Sequence, residues 1–451
     1  MPLSPIVALL RTALHGEGNL LSLLPQAAYR MRMGPLGYSR RGILIVNDPA
    51  LVRSILTEQA EIFPKSDLMV NALEPLIGDS MFVSSGEVWR RQRRMVDPAF
   101  TLIRLSRAFP SMVAGVDEAE GVFDAHAADG TAFSLDMAMS HLTADIICRT
   151  VFSTSLQSRT ARDVFDAFTL FERNVAEVKI WRLIMDPAWR KTPQEPGVLE
   201  ACRLIRQHLG DMIDTHIAAG ADRPDDIAAA CIAARDGAAG FSREELIDQL
   251  GVLFLAGHET TASALTWAFF ILAMQPDVVA RIRAEVAGVS GHGPVEFEHT
   301  KHLHYTRNVF RETLRLYPPI TFLPRVALQA TTLGGHKIRR GTLIMIAPWA
   351  LHRHESYWRE PNVFDPDRFS PERESELTPG AYIPFGFGPR VCVGAGVATA
   401  EATLILARLA RRYEFTVRDP ARVRPVARLT TRPAEQIWCR VARADTEGLL
   451  F

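Results

Sequence analysis

Cys392 lies in the run Phe385-Gly386-Phe387-Gly388-Pro389-Arg390-Val391-Cys392-Val393-Gly394, a cysteine framed by glycines and preceded by an arginine. Glycines let a backbone fold closely and aim N–H groups at a sulfur, which favours the thiolate and makes it a metal ligand. A lone cysteine is more often a buried thiol without chemistry; the frame argues for the ligand. A second cluster, Ala256-Gly257-His258-Glu259-Thr260-Thr261, sets an acid and an alcohol beside two small residues inside an apolar stretch. A buried carboxylate is costly unless it is paired or functional, and an acid next to an alcohol can pass protons. The plainer alternative is a Glu–Thr pair that back-bonds to its own helix. His258 and Thr261 read as lining or packing residues. Glu312 with Arg315 (i,i+3) and Trp89 with Arg93 (i,i+4) each share a helix face. The second pair can address a single carboxylate.

These groups need elements to position them. Ser242 followed by Glu245 is a capping box, so a helix should start there and run unbroken to Gln275-Pro276. Such a helix is about 50 Å long and carries Glu259 and Thr260 at its middle. Most of 51–280 reads as helix. Strands are expected within Gly37–Asn47, where Ile43 to Val46 form an apolar run, and within Thr332–Trp349, with Gly334-Gly335 as the turn. Ile217–Gly240, rich in Ala, Asp and Gly, reads as a mobile surface helix-loop-helix. A last helix is predicted over Ala395–Tyr413, followed by a short β region. The fold class is mainly α with small β-sheets (α+β), in one domain over residues 1–451.

Composition removes several classes of function. Lys plus Arg and Asp plus Glu are both 51, so no global field attracts nucleic acid. The five cysteines are scattered and include no CxxC, which fits a reducing, cytoplasmic setting and neither a disulfide framework nor a zinc finger. The opening MPLSPIVALLRTAL is broken by Arg11, and the clean apolar part of the central helix, Ala262–Met274, is too short to span a bilayer. A soluble protein without a stable membrane anchor is expected. Arg outnumbers Lys about nine to one, a pattern of GC-rich bacterial genomes.

The run around Cys392 resembles the haem-binding pattern of the cytochrome P450 family, F-x-x-G-x-R-x-C-x-G, at every fixed position. Ala256–Thr261 is similar to that family's oxygen-activation segment. Glu312-x-x-Arg315 resembles its E-x-x-R, completed downstream by Pro366-Asp367-Arg368-Phe369, and Trp89-x-x-x-Arg93 resembles its helix over a haem propionate. The likeness extends over nearly the whole chain.

The resemblance implies a haem-thiolate monooxygenase with haem b held by Cys392, Phe385 and Gly394. Trp89, Arg93, Arg325 and Arg390 are implied to face the propionates. Glu259 would relay protons and Thr260 would hydrogen-bond the oxygen being reduced. Glu312, Arg315 and Arg368 would form a buried structural network. Electrons would come from NAD(P)H through an external ferredoxin and ferredoxin reductase, since no GxGxxG follows a strand. Arg90, Arg91 and Arg94 form a basic face that could dock an acidic donor. The pocket should be lined by Met69, Val70, Leu73, Leu76, Ile77, Met81, Phe82 and Ile320–Leu323, which suits a lipophilic small molecule. A peroxide-driven peroxygenase on the same fold, or a non-catalytic haem or lipid carrier, are the rivals, but neither needs the acid–alcohol pair.

Overall fold

The structure, a computed structural model, describes residues 19–36, 39–175, 185–191, 193–233 and 240–444. The apolar run at 1–14, Gly37 and Tyr38 of the first strand region, and 234–239 of the Ala-rich stretch lie outside them.

The helices that build the site are α1 (Asp67–Ile77), α2 (Gly86–Val96), α3 (Leu102–Asp129), α4 (Leu135–Phe152), α5 (Arg159–Val175), α6 (Pro196–Ala218), α7 (Ile227–Ala233), α8 (Arg243–Leu272), α9 (His304–Leu316) and α10 (Ala395–Arg412). Strands β1 (Met33–Pro35), β2 (Ile43–Val46) and β3 (Phe133–Ser134) precede or interrupt them. β4 (Leu323–Val326), β5 (Thr331–Leu333), β6 (His336–Ile338) and β7 (Leu343–Ile346) follow α9. After α10 come β8 (Tyr413–Val417), β9 (Pro425–Ala427), β10 (Thr431–Pro433) and β11 (Trp438–Arg443).

α8 is the axis of the molecule. The Ser242 side chain accepts from the Glu245 N–H and the Glu245 carboxylate accepts from the Ser242 N–H, so the capping box forms. The helix ends at Leu272, one turn before the proline predicted to stop it, when Ala273 turns its N–H back to Phe269. Nearly every side chain along it is buried, because helices pack on several of its sides. Its closest neighbour is α4. A Cβ on Gly257 would lie 2.4 Å from Ile147 Cδ1, so this glycine is required for the two helices to approach.

The sheets join segments far apart in sequence. β1-β2-β7-β4 form one sheet in which β2 and β7 run parallel, Ile43 opposite Leu343 and Val46 opposite Ile346. β4 adds antiparallel to β7 and brings Arg325 to the interior. β5 and β6 pair through Gly334 and Gly335, both at positive φ as a tight hairpin requires. Trp349, predicted at a strand end, sits in a short helix, Pro348–Leu351.

One prediction is corrected. α7, inside the stretch read as a mobile surface excursion, is a core element: Ala228, Cys231 and Ile232 are buried. Alanine-rich composition here reflects close helix packing.

Candidate active site

Cys392 stands just before the N-terminus of α10, on a loop whose shape is set by glycine. Gly386 and Gly388 have φ of +77° and +74°, and a Cβ on Gly388 would meet Leu56 O at 2.6 Å. Only glycine fits there. The Cys392 N–H donates to Phe385 O at 2.9 Å, which folds the loop back on itself. The Cα of Gly394 is not crowded, and its N–H is directed at the sulfur. Burial raises the thiol's pKa, while that N–H, Arg93 and Lys65 oppose the rise. The sulfur is nevertheless open to the interior, exposed to a cavity of about 570 Å³.

That cavity runs from Cys392 to α8. Its α8 wall includes Ala256, Gly257, Thr260 and Thr261. The Thr260 hydroxyl donates to Ala256 O at 2.7 Å, so it back-bonds to its helix and lines the cavity at once. A hydroxyl has one donor and two acceptor positions, and Thr260 therefore keeps acceptor capacity towards the cavity.

Glu259 is held in an ion pair with Arg432. It is buried, and its carboxylate is turned to the face of α8 that docks on the β9–β10 hairpin. Oε1 accepts from Thr430 Oγ1 at 2.6 Å and from Arg432 Nε at 2.8 Å, and Oε2 pairs with Arg432 Nη2. Further along that face, Ser263 Oγ and Trp267 Nε1 both donate to Thr431 O and pin the hairpin to the helix. Thr430 and Arg432 were invisible to sequence reasoning, since nothing local ties them to Glu259.

Trp89, Arg93, Arg325 and Arg390 all line the cavity. Arg390 lies 4.5 Å over the Trp89 ring, donates to Ser84 O, and leaves Nη1 buried with no partner. Arg325 is buried, and burial with Arg390 nearby pushes its pKa down to about 10. An isolated antiparallel bridge pairs Lys65 with Arg325, so both side chains emerge on one face. Lys65 was missed; its one signal is rarity, being one of five lysines. Burial and the two arginines hold its pKa well below the usual range. Among the described residues no carboxylate pairs with Lys65, Arg325 or Arg390. Three cations around one apolar cavity are costly without anions. Arg93 lines the cavity too, yet its guanidinium is committed to Val391 O at 2.8 Å and to Asp97 at 2.5 Å, so it braces the cysteine loop.

A thiol open to an apolar cavity, with unpaired cations along one edge, is the donor set a haem with two propionates would complete. Cys392 would hold the iron, Phe385 and Gly394 its near side, and Lys65, Arg325 and Arg390 the carboxylates.

Behind the cavity, Glu312 and Arg315 are fully buried and paired at 2.7 Å, and Arg368 Nε reaches Glu312 at 3.3 Å. The network that the family resemblance implies is present. The basic face is not free: Arg90 pairs with Glu61 and Glu87, and Arg91 pairs with Glu245 of the capping box. Arg94 is exposed. Of the predicted pocket residues, Met69, Leu73, Met81, Phe82 and Ile320–Leu323 line the cavity. Leu76 and Ile77 are packed into the core, and the lining instead includes Ile147, Val252, Leu253 and Leu429.

The sequence profile of the family described as Cytochrome P450 matches residues 26–439. The chain belongs to the cytochrome P450 family. Among its relatives, cyclooctatin synthase of Streptomyces melanosporofaciens is 32% identical, over 90% of this chain and 85% of that protein. Pentalenene oxygenase of Streptomyces avermitilis is 30% identical, over 89% and 87%. The crystal structure of the cytochrome P450DA heme domain superposes with a TM-score of 0.80 at 24% identity, covering 92% of this chain and 90% of that one. The protein is thus a P450 monooxygenase of a haem-binding family. Among the described residues no single helix is long and apolar enough to cross a membrane.

Proposed function

We propose that this P450 inserts one oxygen atom from O₂ into a cyclic terpenoid or similar hydrocarbon, RH + O₂ + 2e⁻ + 2H⁺ → ROH + H₂O. Electrons come from NAD(P)H through a ferredoxin and its reductase. The observation that carries the reading is Cys392 opening onto an apolar cavity whose opposite wall holds Thr260. Haem bound there supplies the reduction of O₂ and the transfer of one oxygen atom to carbon. The chain's own residues do the rest. Met69, Leu73, Met81 and Phe82 exclude water and hold an apolar molecule near the cysteine side. Thr260 accepts and passes protons at Oγ1, and Glu259 supplies them from the far face of α8. The substrate class is supported by the apolar lining and by the names of cyclooctatin synthase and pentalenene oxygenase.

The test is a screen of cyclic terpenes, carotenoids and fatty acids for shifts of the haem Soret band. Product analysis with NAD(P)H and a surrogate ferredoxin pair follows. A terpene that shifts the band and is hydroxylated or epoxidised supports the proposal; turnover confined to fatty acids overturns the substrate class. Peroxide-driven turnover at a rate NAD(P)H cannot match would favour the peroxygenase.

A further inference from the structure

Four charged or titratable groups from three elements meet behind α8: Glu172 of α5, His258 and Glu259 of α8, and Arg432 of β10. The ligating atoms of Glu172, His258 and Glu259 cluster closely. The guanidinium already fills the cationic position that a metal would take. Its occupancy is uneven. Arg432 grips Glu259 through both Nε and Nη2, while the same Nη2 lies 3.8 Å from Glu172 Oε2. Glu172 is poorly satisfied: Oε1 is buried with no hydrogen bond, and His258 Nε2 stands 3.4 Å from it. His258 cannot readily compensate, because burial lowers its pKa. The imidazole is packed among Phe165, Phe168 and Phe254. The fourth Arg432 contact is Ser140 Oγ of α4 at 3.1 Å, and Asp136 lies further along that helix.

One guanidinium therefore stands between two carboxylates, holding one fully and the other at a distance. The held one, Glu259, faces away from the cavity that its neighbour Thr260 lines. For Glu259 to deliver a proton there, its carboxylate must leave Arg432 and Thr430. A buried guanidinium is not abandoned cheaply, so the exchange needs a second anion already in reach.

We propose that Arg432 and Thr430 form a latch that holds Glu259 off the cavity, and that Glu172 is the partner to which Arg432 passes when the latch opens. Glu172 is thereby a positioning residue for proton delivery, and the position of α5 sets how readily Glu259 is released. No bond is made or broken; one ion pair exchanges for another. The inference rests on the proton-supplying role proposed for Glu259, which Glu259→Gln tests by itself: it should lose coupling whatever Glu172 does.

The experiment compares Glu172→Gln, Thr430→Val and the double variant as haem-loaded proteins. The readouts are product formed per NAD(P)H, hydrogen peroxide released and the solvent isotope effect on turnover. Glu172→Gln removes the second anion and should lower coupling by about tenfold or more, the scale of losing one proton-transfer group. Its solvent isotope effect should rise, while the carbon monoxide band and the substrate-induced Soret shift stay as in wild type. Thr430→Val weakens the hold on Glu259 and should restore part of that coupling in the double variant, a non-additivity expected only of groups acting on one event. Wild-type coupling in Glu172→Gln overturns the latch. So does a double variant that couples no better than Glu172→Gln alone.

Discussion

Glu312→Ala tests the buried network most directly. The carboxylate is fully buried and accepts four hydrogen bonds: Arg315 Nε at 2.8 Å, Arg315 Nη2 at 2.7 Å, the Asp365 N–H at 3.0 Å and Arg368 Nε at 3.3 Å. Removing it takes the carboxylate from Arg315 and the nearer of two from Arg368. They differ in what remains. Arg315 keeps only the carbonyls of His352, Pro361 and Val363, at 2.9, 2.6 and 3.0 Å, whereas Arg368 keeps those of Arg359 and Glu360 and the Asp365 carboxylate at 4.0 Å. Carbonyls solvate a cation without neutralising it, so the cost stays near the roughly 3–5 kcal/mol of breaking a buried pair from one side. Against a total stability of about 5–15 kcal/mol, that consumes a large share. Glu312→Gln keeps the acceptor oxygen and should cost less than Glu312→Ala. Urea unfolding followed by tryptophan fluorescence gives the stabilities, and the carbon monoxide band gives haem-loaded yield. A Glu312→Ala protein as stable and as fully loaded as wild type would refute the reasoning.

Other outcomes follow from the same geometry. Cys392→His should move the band of the reduced carbon monoxide complex to the position of a histidine-ligated haem; an unchanged band would mean another ligand. Thr260→Ala should bind haem and take electrons but lose about 10²–10⁴-fold in product rate, with oxygen appearing as hydrogen peroxide. Lys65→Met removes one of three unpaired cations and should weaken haem retention in dialysis against apomyoglobin, whereas Arg90→Met, whose partners are on the surface, should not. Glu401 is buried with one oxygen unpartnered, and burial raises its pKa to about 8. The folded state then binds a proton that the unfolded chain releases near pH 4.5, so stability falls as pH rises from about 4.5 to 8. Glu401→Gln should flatten that part of the stability–pH curve; an unchanged slope would count against the burial argument.

The groups legible in the sequence share one property: their geometry is set within a few residues. The Cys392 loop folds back on itself through the Cys392 N–H and Phe385 O, seven residues apart. Glu312 and Arg315 meet because a helix puts i and i+3 together. Ser242 and Glu245 start α8 wherever it is placed. The side on which Glu259 would face, and whether the arginines of α2 would be free, were not local questions. Glu259 finds its partner 173 positions away because Thr431 O collects Ser263 and Trp267 and fastens the hairpin to α8. Lys65 joins Arg325 only through an isolated bridge to β4. Arg91 is neutralised by the same Glu245 that caps α8. Short-range spacing names the residues able to do chemistry, but long-range packing decides which charge each one meets, because ion pairs follow distance in space and sequence spacing controls that distance only within a turn or two of helix.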